Sequence, residues 1–389
     1  MKQSKTGSAC GVVHVLRYSL LPFLFLVLLA SCSPPLTVGI IAGLTGSQSE
    51  LGVAGRNGAM FRFEEENARR GLNRFMLTIE DDQNDPLRIP GLVQKLRRNG
   101  VVVAIGPFTS TIALAVTKEG EDLLFVSPTA SAKRLAGLDD MVVRLMGSVE
   151  AAASRLAKVM KEQYSLNSVA AIWDSNNSIY AEDYLEAFAS GWGSGANWVE
   201  KEGLPDWQQA SLFSRTFDST TKTGLLQASN FLAGSDADSV LIIASGANTA
   251  STLRILRREG YDGLIMVAGW AVTSDLSTWG TETLEGVVFS QQYDPAFDGP
   301  RFVNFKKNFL DRFGTEPSFG AIFGYEAADL VIRALEKTSS GSASDIKASL
   351  LSLGPFESLQ GHLKLDSFGD PEREVFMFQF RSGVPVRLE

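Results

Sequence analysis

The sequence predicts an α/β protein built as two lobes of similar construction, each around a parallel sheet wound with helices on both faces. Two observations carry this. Short, continuously apolar runs rich in β-branched residues alternate with segments of helical character, which is how strands covered on both faces read. The alternation also runs through twice, once before about Ala151 and once after it. A chain of 389 residues, 44% apolar and 21% charged, has ample material for two such cores.

In order, the first run opens with the strand LTVGIIA (Leu36 to Ala42) and the turn-prone GLTGSQSE. A helix is expected from about Leu51 to Arg70, with Met60, Phe63 and Asn67 on one face and Gly71 as its stop. The strand FMLTIED (Phe75 to Asp81), the helix LVQKLRRNG, the strand VVVAI, a helix beginning near Ser110 and the strand LLFV follow. The second run has a helix ending at Tyr164, the strand VAAIWD (Val169 to Asp174), a helix through Tyr184 and Phe188, the strand SVLIIA (Ser239 to Ala244), the helix ASTLRILRREG and the strand LIMVAGW. After these come GVVFSQQYD, one long helical stretch from Arg301 to Leu335, a loop SSGSASD before a helix at Ile346, and GHLKLDSFGD.

The N-terminus differs in kind. Lys2, Lys5 and Arg17 precede the apolar run LLPFLFLVLLA, and Ser31-Cys32 follows, the layout of a secretory signal over residues 1–31. Eleven apolar residues fall short of the roughly 20 a spanning helix needs. The stretch LASC resembles the lipobox of bacterial lipoproteins, in which the cysteine becomes the lipid-modified first residue. Cys32 would then be the lipidation site and, with Cys10 removed, the mature chain's only cysteine.

Charge and composition exclude several functions. Without residues 1–31 the net charge falls from −8 to −11, unsuited to nucleic acid. One histidine, His362, would remain once His14 is gone, no G-x-S-x-G occurs, and a Cys/His metal cluster has no material. Enzyme readings therefore lack a nucleophile and base pair, and neither metal nor cofactor is expected. LGVAGRNG, at Leu51 to Gly58, is not a dinucleotide fingerprint, and Asp81-Asp82 reads as a solvated acidic loop.

Two strand ends are rich in hydroxyls, GPFTS (Gly106 to Ser110) and SPTAS (Ser127 to Ser131). Ligands of parallel sheets bind at the carboxyl ends of strands, and N–H groups there favour anions. A carboxylate suits these loops. The alternative is that Ser110 and Ser131 only cap their helices.

Six segments resemble the leucine/isoleucine/valine-binding protein family in order and spacing: VGIIAGLTGSQSELGVAGRNGAMFRFEEEN, IEDDQNDP, AIGPFTSTIA, FVSPTAS, WDSNNSIYAEDY and GHLKLDSFGD. The family comprises periplasmic substrate-binding proteins of branched-chain amino-acid and amide ABC importers. The resemblance implies the type I periplasmic-binding-protein fold, two lobes joined by three crossovers near Met146, Ser290 and Gly354 to Gly361. It places residues 36–146 plus 290–356 in lobe 1 and 147–289 plus 357–389 in lobe 2. It further implies that Ser110 and Ser131 bind a ligand carboxylate, that the Thr129 main chain faces an ammonium, that Phe108 and Thr109 line the mouth, and that Tyr180 reaches across from lobe 2.

Two departures from the family stand out. Where amino-acid binders place a carboxylate for the ammonium, this chain reads Val267-Ala268-Gly269-Trp270, so Asp174, Asp275 or Glu326 would have to serve, or the ligand is not a free α-amino acid. Trp270 would instead wall the pocket, or belong to the core. SGANT, beginning at Ser245, replaces a frequent aromatic and suggests a roomier or hydroxyl-lined pocket, while Tyr325 stands where many relatives put an aromatic. The implied partners are a small-molecule ligand (amino acid or amide), an ABC permease and a membrane holding the lipid anchor. Lipoproteins that activate peptidoglycan synthases carry a similar domain, so an interaction module is the alternative, and a ligand sensor a third.

Overall fold

The computed structural model describes residues 35–388 apart from 47, 72, 204–209, 278–279 and 339–340. The signal, Cys10, His14 and Cys32 lie outside the described residues. Two mainly parallel sheets form the frame. The first has five parallel strands in the order β2-β1-β3-β4-β5: β1 (Leu36–Ala42), β2 (Phe75–Asp81), β3 (Val103–Ile105), β4 (Leu124–Ser127) and β5 (Val142–Arg144).

The second sheet has eight strands in the order β15-β14-β11-β10-β9-β6-β8-β7. Its parallel part comprises β6 (Val169–Asp174), β7 (Val199–Glu200), β8 (Leu212–Phe217), β9 (Ser239–Ile243), β10 (Leu264–Val267) and β11 (Val288–Gln291). After the two-stranded β12 (Phe356–Glu357) and β13 (His362–Leu363), the chain returns as the hairpin β14 (Phe376–Arg381) and β15 (Val384–Leu388). That hairpin joins the second sheet antiparallel to β11.

Alternate residues of each strand serve opposite faces. Val38, Ile40 and Ala42 of β1 join one core cluster. Ile41 joins another, with Ile89, Val93 and Leu96. The first face is covered by α1 (Ser49–Arg70) and the second by α2 (Ile89–Arg98) and α3 (Ser110–Val116). In the second sheet Val169, Ala171, Leu241 and Ile243 pack beneath α4 (Val149–Tyr164) and α5 (Ser178–Trp192). Ala170, Ile172, Val240 and Ile242 pack beneath α6 (Lys222–Ala233) and α7 (Gly246–Arg258). This is the doubly wound arrangement that continuous apolar strands imply.

The long helical stretch is in fact two helices, α8 (Pro300–Phe313) and α9 (Phe319–Lys337). Gly314 ends the first in a left-handed conformation (φ 74°), and Pro317 stands just before the second. A last helix, α10 (Ala343–Leu351), starts three residues before Ile346. The glycines of LGVAGRNG also acquire a role, because α9 crosses α1 at backbone contact. A Cβ on Gly58 would stand 2.0 Å from the Ala321 carbonyl oxygen, and one on Gly324 would stand 2.2 Å from that of Gly55.

The chain passes between the two lobes three times: after β5, after β11, and between β13 and β14, the last of these beyond the expected Gly354 to Gly361, because Ser358 and Leu359 are still bonded to Arg301 and Glu326 of the first lobe's helices. Side-chain amides tie the first passage to the second, and the second to the turn between β12 and β13. Gln292 accepts from the Gly147 N–H at 2.7 Å and donates to its carbonyl at 2.9 Å. Gln360 does the same for Asp294, at 2.8 and 2.7 Å. Among the described residues no helix is long and apolar enough to cross a membrane.

Candidate functional site

The carboxyl ends of both sheets face one another, and a small enclosed cavity lies between them. From the first lobe its walls are Leu51, Phe108, Ser110, Thr129, Ser131 and Phe319. Asn177, Tyr180 and Trp270 come from the second, and Met146 from the first crossover. Of the residues singled out in the sequence, Phe108, Ser110, Thr129, Ser131, Tyr180 and Trp270 thus meet at one place.

Their local geometry follows from the loops that carry them. Phe108 fits because α1 has no side chain at Gly55, where a Cβ would stand 1.9 Å from the ring. Thr129 Oγ1 donates to the Phe108 carbonyl at 2.5 Å and Ser127 Oγ to that of Pro107 at 2.6 Å, so the two hydroxyl-rich loops are laced together. Ser110 Oγ accepts the N–H groups of Ser131 (3.2 Å) and Ala132 (3.1 Å). Both serines are almost fully buried. With its oxygen engaged by two donors, the Ser110 hydroxyl retains its own proton for donation. Neither a carboxylate site nor a helix cap covers this by itself, since Ser110 caps no helix here: it is the first residue of α3, and Thr109 precedes it at the cap. Thr109, expected at the mouth, is not among the wall residues; its hydroxyl lies 3.5 Å from Asn84 Oδ1.

On the opposite wall the Tyr180 and Trp270 rings meet edge to face, centroids 5.8 Å apart at 75°, and Tyr184 lies 5.8 Å behind Tyr180. Burial raises the Tyr180 phenol well above its ordinary range, helped by the neighbouring Tyr184 and opposed by the Trp270 backbone N–H directed at its oxygen. The group is a neutral hydroxyl at any physiological pH. A second small space, lined by Ser131, Tyr180, Tyr184, Gly269 and Gln291 among others, adjoins the same tyrosine.

Two further expected residues stand elsewhere. Tyr325 points away from the cavity: its hydroxyl donates to Glu65 at 2.6 Å and its ring packs on Phe305 (4.7 Å) and Phe61 (6.0 Å). Gly324 must face α1, so the next residue along the helix is turned about 100° aside. Ser245 caps the start of α7 at the end of β9, outside the cavity wall, and its buried hydroxyl has no hydrogen-bond partner.

The acids considered for an ammonium are otherwise engaged. Asp174 accepts from Gln48 Nε2 at 2.6 Å and from both nitrogens of Asn176 at 3.1 Å. Glu326 is held by Arg373 at 2.6 Å and by the Leu359 N–H at 2.9 Å. Asp275 donates its N–H to Glu50 across the cleft at 3.0 Å, and burial followed by repulsion from Glu50 raises its carboxyl pKa. The lobes touch directly at other points too. Asn177 Oδ1 accepts from Thr111 N–H and Oγ1, both at 3.3 Å, and the Asp183 carboxylate accepts from the N–H (2.9 Å) and Nε (2.8 Å) of Arg134. Among the described residues no cluster of three or more His, Cys, Asp or Glu is arranged to hold a metal ion.

Leu51, Met146, Asn177 and Phe319 were not foreseen as wall residues. Asn177 has a signal in hindsight, in the polar turn after the strand VAAIWD. Phe319 was hidden by reading α8 and α9 as one helix.

Comparisons with known proteins agree on the architecture. A family model described as periplasmic binding protein matches residues 35–384. Leu/Ile/Val-binding protein homolog 2 of Brucella abortus is 24% identical over 372 residues, spanning 89% of this chain and 90% of its own. Two solved structures superpose on 91% of the chain. The LivJ substrate-binding protein of Streptococcus pneumoniae, in complex with isoleucine, does so with TM-score 0.75, 17% identity and full coverage of its own chain. An ABC-transporter solute-binding protein of R. palustris, in complex with benzoate, does so with TM-score 0.76, 16% identity and 96% coverage of its own chain. The extent of the family match, with two parallel sheets facing each other across a cleft, establishes that this chain belongs to the periplasmic binding protein family.

Proposed function

We propose that the protein is an extracytoplasmic, lipid-anchored solute receptor that closes around a small carboxylate-bearing molecule and delivers it to an ABC importer. One observation carries the reading: Ser110, Thr129 and Ser131 line one cavity with Tyr180 and Trp270 from the opposite lobe. Hydroxyl and N–H donors at strand ends suit a carboxylate, and a ligand held by both lobes favours the shut form by its differential affinity. Isoleucine and benzoate, bound by the two superposable proteins, have a carboxylate in common. Cys32, following an apolar leader, supports the anchor.

Two experiments test this reading. Uptake of labelled solutes by cells with and without the protein tests delivery: loss of one uptake activity on deletion supports it, and unchanged uptake of every solute contradicts it. Incorporation of labelled fatty acid into the wild type but not into Cys32→Ser tests the anchor.

A second reading, a ligand-free interaction module, is favoured by the cavity's size. Its volume is about 20 Å³, room for about one water, with the lobes joined by direct hydrogen bonds. A protein partner recovered by cross-linking in cells, together with no response to solutes, would select it.

A further inference from the structure

Resting on the receptor reading, we infer that the solute is an aromatic monocarboxylate without an ammonium group. The cavity wall contains no acidic side chain. The carboxylates close in sequence to wall residues are committed: Glu50, next to Leu51, to Ser274 and the Asp275 N–H, Glu182 and Asp183 to Arg134, and Asp174 to Gln48 and Asn176. Glu326, on the helix that begins with Phe319, is committed to Arg373. An ammonium enclosed there would exchange water for hydroxyls, carbonyls and ring faces alone, with no charge of opposite sign.

A carboxylate is treated differently by the same wall. It finds the Ser110 hydroxyl proton, and it can compete with Ser110 Oγ for the N–H groups of Ser131 and Ala132, which already serve an oxygen acceptor. Carboxylates held by several such donors are well accommodated without a cation. The wall lacks lysine and arginine as well as acids, so a single negative charge is the most it is equipped to take.

The rest of the ligand is specified by the rings. Phe108 and Phe319 face the cavity from one lobe, Tyr180 and Trp270 from the other. Rings pair edge to face or offset with centroids several Å apart, as Tyr180 and Trp270 already do at 5.8 Å. The shut cavity holds about 20 Å³, room for about one water, so a planar ring requires these walls to stand further apart than they do here.

Matched ligand pairs separate each part of the claim, using calorimetric titration of the full-length protein in detergent. 3-Phenylpropanoate is expected to bind at least tenfold more tightly than L-phenylalanine, which differs by the ammonium. It should also exceed 3-phenylpropanamide, which lacks the charge, and 4-methylpentanoate, which lacks the ring. In Trp270→Leu its affinity should fall at least tenfold, with the ligand-free melting temperature recorded as the folding control. L-Phenylalanine or L-leucine binding as tightly as 3-phenylpropanoate overturns the inference and leaves a receptor for amino acids. Equal binding of the amide or of 4-methylpentanoate overturns the carboxylate or the aromatic part respectively. No binding of any of these ligands overturns the inference, and unchanged uptake of every solute on deletion is the separate result that overturns the receptor reading.

Discussion

Ser110 Oγ and the Ser131 N–H, 21 residues apart, are hydrogen-bonded at 3.2 Å, and the Ala132 N–H reaches the same oxygen at 3.1 Å. One hydroxyl thus fixes the two loops that end β3 and β4. Ser110→Ala leaves two buried N–H groups unpaired and is expected to lower stability by about 1–3 kcal/mol. Chemical denaturation measures this, and a change below about 0.5 kcal/mol would mean the loops hold without the bond. Solute affinity of this variant is to be read well below its own melting temperature.

The pairing of Gln292 with Gly147 makes a second prediction. Gln292→Leu removes a donor and an acceptor from buried backbone at the crossovers, at a cost of about 1–3 kcal/mol for each orphaned group. With the strands between the sheets released from each other, the shut form should lose population. A larger radius of gyration by X-ray scattering is the expected result, and an unchanged one would show that these amides do not govern closure.

Glycine substitutions separate helix contact from helix propensity. Gly58→Val forces α1 and α9 apart and is expected to destabilise by about 3 kcal/mol or more. Gly91, exposed in α2 with nothing within 4 Å of where a methyl group would stand, should respond in the opposite sense, Gly91→Ala stabilising by up to about 1 kcal/mol. Thermal unfolding of both variants checks the contrast.

Asp82, expected in a solvated loop, is buried and gives a pH dependence. Burial raises its carboxyl to about 6, against 3.8 ordinarily; the Asn84 N–H and Arg88 oppose the shift and Asp81 adds to it. The folded state therefore binds the proton more tightly than the unfolded state, and this group's contribution is most favourable below pH 3.8. It declines as pH rises and is fully unfavourable above about 6. Asp82→Asn is expected to stabilise the protein by about 1–3 kcal/mol at pH 7.5 and by little at pH 4, an upper range for a full shift. Equal effects at both pH values would contradict the assignment.

Most of the frame was legible because buried parallel strands announce themselves: LTVGIIA, FMLTIED and VAAIWD have in the structure the bounds expected from their apolar runs. β8 escaped notice because LFSRTF carries Ser214, Arg215 and Thr216 in succession, breaking the apolar run. α6 escaped with it, its Lys222, Thr223 and Gln227 facing solvent. The break between α8 and α9 was signalled by Gly314 and Pro317, and overlooking it concealed Phe319. The cavity residues were legible as loop chemistry and resemblance, but not their hydrogen bonds. The link from Ser110 to Ser131, and the removal of Tyr325 to the Phe61 and Phe305 cluster, depend on packing between distant segments that no local pattern records.

The account turns on a solute being enclosed by both lobes at once, and amide hydrogen exchange with and without 3-phenylpropanoate tests that most directly. The predicted result is added protection in the loops around Ser110 and Ser131 together with those around Tyr180 and Trp270. Protection confined to one lobe, or absent from all four loops at a concentration saturating in calorimetry, would contradict it.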